Sequence, residues 1–157
     1  AALGYPVAGW ARSPRTQEGI EVFHGMAQFH EFLGRTRVLI NLLPLTPETR
    51  GIINRDLLHA LRPDAVIINI ARGGHVVDAD LLAALDSGRV QAAVLDVFNQ
   101  EPLSPEHPYW QHPRVRITPH VAAMTLEAEA AEQISRRIAQ LEAGEPASGR
   151  VQRETGY

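Results

Sequence analysis

Four side chains of this 157-residue chain are of types that do acid–base or anion chemistry, and each comes at or just beyond the end of an apolar run: Arg72, Asp96, Glu101 and His120. Arg72 follows Ala65-Val66-Ile67-Ile68-Asn69-Ile70 and opens onto Gly73-Gly74. Asp96 stands near the end of QAAVLDVF, and Glu101 lies in the loop beyond it. His120 follows the short run 114–118 and Pro119. A guanidinium is permanently charged and forked, so it suits a carboxylate or a polarised carbonyl. Glu101 can orient an imidazole and leave its outer nitrogen to exchange a proton with a substrate oxygen. Each residue alone has a plainer reading: an arginine that caps a loop, or a histidine hydrogen-bonded within one. Together they carry more weight. In open parallel α/β sheets, ligands bind beyond the carboxyl ends of the strands, and the fold brings those ends together.

The elements that must position them alternate. Pro6–Ala11 reads as a strand, and RVLINLL (37–43) as a second, buried one stopped by Pro44 and Pro47. Ala65–Ile70 has the β-branched, unbroken apolar character of a strand buried on both faces. Residues 91–98 and 114–118 supply two more. Residues 16–27 show little periodicity and read as loop. Helices are expected at Gln28–Leu33, ending at Gly34, and from an Asn54 cap to about Leu61. A third runs from an Asp78 cap to Asp86, with Gly88 closing it. Thr125 caps a long fourth helix, with Leu126, Ala130, Ile134, Ile138 and Leu141 on one stripe. Ala1–Gly4 reads as the last turn of a helix already under way, and Ala147–Tyr157 as an irregular tail. The alternation implies α/β architecture with a parallel sheet.

Composition removes several classes. The apolar share is 45%, enough for a core and too high for disorder. The net charge is −3 with no block of one sign, so neither a nucleic-acid surface nor a polybasic membrane patch is indicated. There is no membrane-length apolar run and no basic leader. Cysteine is absent, which removes a thiol nucleophile and suits a cytoplasmic location. The histidines show no metal spacing such as HExxH, and GxSxG is missing, so metal catalysis and covalent hydrolysis are not signalled.

The turn after the first strand bears on a cofactor. Dinucleotide folds place an acidic residue there for the adenosine ribose, or an arginine for a 2′-phosphate. Here Arg12-Ser13-Pro14-Arg15 follows, and no Asp or Glu occurs before Glu18. Alone it is an exposed basic turn. Within a dinucleotide fold its charge favours NADP(H), with NAD(H) possible.

The motifs INLLPLTPETRGIIN, VIINIARGGHVVDADLLAALDSGRVQAAVLDVFNQEPL and ITPHVAA, in that order, resemble the D-isomer-specific 2-hydroxyacid dehydrogenases. The WARSPR turn, the NQEPL loop and YWQHPRVRITPHVAAMT are most similar to the glyoxylate/hydroxypyruvate reductase A group. The resemblance covers nearly the whole chain. It implies a Rossmann-like, doubly wound parallel sheet. It also implies catalytic roles: Arg72 binds the carboxylate and carbonyl of a small 2-oxo acid, Glu101 supports His120, and His120 donates the proton. Asp96 would hold the nicotinamide amide, and the backbone around Leu43-Pro44 and Ile70-Ala71 would line the cofactor. Formate dehydrogenases of the superfamily carry glutamine in the place of Glu101, which argues against that branch. A homodimer is the family's usual assembly.

The resemblance also sets expectations about what is missing. The first strand, its glycine-rich turn and the substrate domain would lie outside this sequence. Residues 1–143 would be a partial NAD(P)-binding domain with the long helix 125–143, and 144–157 a tail returning towards the substrate domain. With strand order 3-2-1-4-5-6, an open slot is expected between Val7–Ala11 and Ala65–Ile70. Two other functions stay open: a nucleotide-sensing interaction module of the corepressor type, which binds NAD(H), and an inactive fragment.

Overall fold

A computed structural model describes residues 4–123, 125–146 and 151. The readings of Ala1–Leu3 and of the tail beyond Pro146, Val151 apart, fall outside the described residues. Among the described residues, six strands, all parallel to their neighbours, form two sheets. β1 (Ala8–Ala11) pairs with β2 (Glu21–His24). β3 (Val38–Asn41), β4 (Ala65–Asn69), β5 (Val90–Leu95) and β6 (Val115–Ile117) form a four-stranded sheet in that order. Four α-helices accompany them: α1 (Phe29–Arg35), α2 (Arg55–Ala60), α3 (Asp78–Asp86) and α4 (Glu127–Glu142). The strand–helix alternation gives the parallel α/β, Rossmann-like architecture expected.

The core lies between one face of the larger sheet and helices α1–α3. Leu39, Ile67, Ala93, Leu95 and Val115 point into it from the strands. Leu33, Leu57, Leu58, Leu81 and Leu85 meet them from the helices. The opposite face carries Val38, Ile40, Val66, Ile68, Ala92 and Val94, which range from half-buried to exposed. Among the described residues, helices α1–α3 all pack on one face of β3 and β4. α2 begins as expected, with the Asn54 side chain accepting from the Leu57 amide at 3.1 Å.

Several local readings need correction. β2 lies in the stretch read as loop; four residues are too few to show alternation. α1 runs through Gly34 and ends at Arg35, with Thr36 as its extended C-cap. Val77, not Asp78, precedes α3, and Leu126, not Thr125, precedes α4, neither with a side-chain cap. The Asp78 carboxylate serves elsewhere, accepting from the Tyr109 hydroxyl at 2.9 Å and the Asn99 amide at 3.0 Å. The apolar stripe of α4 is uncovered: Leu126, Ile134, Ile138 and Leu141 are each more than half exposed. The expected slot is also displaced. β3 pairs with β4, so the side of β4 assigned to the slot is filled, and the break in pairing falls between β1 and β3. The discrepancy follows from β2: it, rather than β3, is the partner of β1.

At the carboxyl ends of the strands the loops come very close. A Cβ built on Gly73 would stand 1.9 Å from the Phe98 carbonyl carbon and 2.4 Å from the Asn99 amide nitrogen. The obstructing atoms are backbone, so only glycine lets the Arg72 loop touch the loop that leads to Glu101. Gly73→Ala is expected to cost about 3 kcal/mol, the upper part of the range for overpacking. A urea titration of the full-length protein checks this; an unchanged midpoint would contradict the close approach.

Candidate functional site

β3 and β4 end level with each other, at Asn41 and Asn69. Both are buried, and the Asn41 amide donates to Asn69 Oδ1 at 3.0 Å. Asn41 Oδ1 accepts from the Leu43 amide, and Asn69 Oδ1 also accepts from the Ala71 amide, each at 3.2 Å. Asn69 Nδ2 donates to the Arg72 carbonyl at 3.0 Å. These bonds turn both chains away from the sheet. The result is an open groove of about 520 Å³ lined by Leu42, Leu43, Pro44, Leu45, Ile70, Ala71 and Arg72. The four residues read as cofactor lining, Leu43, Pro44, Ile70 and Ala71, are therefore brought together.

Arg72 is exposed at the end of this groove. One guanidinium nitrogen, Nη1, donates to the Ala71 carbonyl at 2.6 Å. Its other donors have no protein partner among the described residues. Across the Gly73 contact lies Glu101. Its Oε1 accepts from the Phe98 amide at 2.9 Å, and its Oε2 faces His120 Nδ1 at 2.8 Å. The His120 bond, then the Phe98 bond, hold the Glu101 carboxyl below the ordinary carboxylate value, and the charge of Arg72 acts in the same direction. His120 sits in the left-handed region at φ 56°, a conformation uncommon for a residue with a side chain. Its Nε2 makes no hydrogen bond among the described residues, and half of the side chain is exposed. The three residues read as catalytic thus share one rim.

Asp96 stands differently. It is buried and donates its amide to the Asn69 carbonyl at 3.0 Å. Its Oδ1 accepts from the Thr118 hydroxyl and, at 2.9 Å, from the Val121 amide; its Oδ2 accepts from the Ala122 amide at 3.0 Å. Burial pushes this carboxyl up, but the three hydrogen bonds and nearby His120 outweigh burial and hold it below the usual value. The carboxylate as it stands secures the loop that presents His120. Arg12, Ser13 and Arg15 lie exposed in the turn after β1. Arg12 is close enough to Glu48, in the loop after β3, to lower its carboxyl, although Thr46 is the main cause.

The frame residues Asn41 and Asn69 escaped the sequence reading. A polar residue at the same place in two apolar runs, VLIN and VIIN, was the available signal. The Asp78–Tyr109–Asn99 cluster gave none, because its members lie far apart in the chain. Burial, then the charge and hydrogen bond of Asp78, push the Tyr109 hydroxyl far up, so it stays a donor throughout.

Asp96→Asn puts an amide N–H₂ against a backbone N–H and is expected to cost about 1–3 kcal/mol. The sign of the pH effect follows from the lowered carboxyl. Asp96 stabilises fully above the unfolded aspartate value, and that contribution is lost as pH falls through the lower folded value. Denaturation midpoints measured from neutral to acid pH check both; the variant's curve is the flatter one.

The model of the D-isomer specific 2-hydroxyacid dehydrogenase NAD binding domain matches residues 1–122. A solved NADPH-dependent glyoxylate/hydroxypyruvate reductase from Sinorhizobium meliloti, in complex with NADP and sulfate, is 45% identical with a TM-score of 0.94. The match covers 99% of this chain and 51% of that one. A D-isomer specific 2-hydroxyacid dehydrogenase from Xanthobacter autotrophicus Py2, in complex with NADPH and MES, is 44% identical with a TM-score of 0.94, covering 98% of this chain and 64% of that one. A probable 2-hydroxyacid dehydrogenase from Rhizobium etli CFN 42, with NADP, HEPES and L(+)-tartaric acid, is 38% identical with a TM-score of 0.91, covering 99% and 50%. The chain thus spans about half to two-thirds of the length of these structures. No helix among the described residues is long and apolar enough to cross a membrane. With 122 of its residues matched by that domain, this chain belongs to the D-isomer specific 2-hydroxyacid dehydrogenases.

Proposed function

We propose that the protein reduces a small 2-oxo acid, glyoxylate or hydroxypyruvate, to the D-2-hydroxy acid with NADPH, and that residues 1–143 are the cofactor-binding part. The observation that carries this reading is the His120–Glu101 pair at 2.8 Å beside an arginine with donors to spare. Arg72 binds the acid's carboxylate through its free donors and polarises the adjacent carbonyl. Glu101 fixes the imidazole by Nδ1, so that Nε2 faces the substrate oxygen and passes it a proton. A reduced nicotinamide, when bound in the groove beside Arg72, would supply hydride.

The residues present fit such a cofactor. The groove beside Arg72 is walled by apolar side chains, as a flat nicotinamide ring requires. The cationic turn after β1 fits a 2′-phosphate. The nicotinamide amide is assigned to Asp96 only if the carboxylate shares one of its remaining lone pairs. The NADP and NADPH held by the similar reductase and dehydrogenases support the same preference.

The test is the full-length protein mixed with NADPH and glyoxylate or hydroxypyruvate, followed by the absorbance of reduced nicotinamide. Consumption is expected with at least one of the acids; none with either overturns the reading and leaves the interaction-module alternative. Changing Arg12 and Arg15 to Ala is expected to raise KM for NADPH about 10- to 100-fold, the worth of a charge-assisted pair, with far less effect on NADH. An equal rise for both cofactors would defeat the phosphate role.

A further inference from the structure

His75 is fully buried and takes no part in the chemistry above. Its ring stands between two backbone carbonyls. Nδ1 is 3.0 Å from the Arg72 oxygen, and Nε2 is 3.2 Å from the Pro44 oxygen. Those two residues belong to opposite walls of the groove. The β3–β4 ladder has ended at Asn41 and Asn69, so strand pairing no longer joins the walls. Among the described residues, no other hydrogen bond joins 42–47 to 70–75. An imidazole is costly to bury at a site a leucine could fill, unless its polar atoms are used. Here each ring nitrogen faces a carbonyl oxygen, on the two segments whose separation sets the width of the groove.

We propose that His75 is a positioning residue that couples the cofactor wall to the anion-binding arginine, by holding the Pro44 and Arg72 carbonyls across one ring. The proposal rests on the reductase reading of the groove and of Arg72. Whichever ring nitrogen carries the proton, it donates to one carbonyl, and the imidazolium donates to both. Through Nδ1 it acts with Asn69 on the backbone from which the guanidinium projects. Through Nε2 it acts with the Thr49 hydroxyl, which donates to the same Pro44 oxygen at 2.7 Å.

The two ends of the ring can be removed separately in the full-length protein. The amide nitrogen of His75→Asn takes the place of Nδ1 and keeps the Arg72 contact. That of His75→Gln takes the place of Nε2 and keeps the Pro44 contact. Oxalate, a planar dicarboxylate that cannot be reduced at a carbonyl, probes the arginine by calorimetry, and nicotinamide fluorescence gives the Kd for NADPH. His75→Asn is expected to weaken NADPH about tenfold and oxalate less than about threefold; His75→Gln should do the reverse. Parallel losses in both ligands, as from general loosening, or no loss in either, would overturn the coupling. A wild type that binds both ligands but turns over no 2-oxo acid defeats the reductase reading alone, and the binding ratios still decide His75. If a variant does not fold, histidine ¹⁵N spectra of the wild type decide: oxalate is expected to move Nδ1 and NADPH to move Nε2. Neither nitrogen responding would overturn the proposal.

Discussion

Two side-chain amides, Asn41 and Asn69, govern the working end of this molecule. They are register partners on adjacent parallel strands and meet at 3.0 Å in the core. Buried amides are stabilising only when their donors and acceptors are satisfied, and a half-satisfied pair costs more than an apolar one. Each satisfies its neighbour's needs and then captures the chain two residues on, at Leu43 and Ala71. The strands therefore stop at the same height and the loops leave in a fixed direction. The groove, the arginine and the Gly73 contact are consequences of that shared ending.

The two carboxylates nearby divide the labour. Asp96 is buried, and its oxygens take a hydroxyl and two amides from the loop 118–122. Glu101 is partly exposed, with one oxygen fixed by the Phe98 amide and the other turned to His120. Both are held low, the first by hydrogen bonds that outweigh burial and the second chiefly by His120. The left-handed backbone of His120 is thus set from below by one acid, while the ring is aimed from above by the other.

Much of this was legible in the residues. Arg72, Glu101 and His120 follow apolar runs, and a parallel sheet gathers the ends of such runs by construction. The Asn54 cap and the inward leucines of α2 and α3 were equally readable, since local spacing determines them. What was not readable depends on partners distant in the chain. β2 is four residues long and is a strand only because β1 lies beside it. Asp78 looked like a cap, but Tyr109 and Asn99 claim its oxygens. Asp96 was legible as important, while its engagement with three groups of the His120 loop was not.

The pairing of β1 with β2 has a consequence for the basic turn. Among the described residues, β1 and β2 are joined to the rest largely through α1, where Trp10 meets Phe29 at 4.7 Å and Phe23 meets Phe32 at 5.8 Å. The Arg35–Glu21 ion pair beside them is exposed and adds little. The position of the basic turn is therefore inherited from aromatic packing against α1.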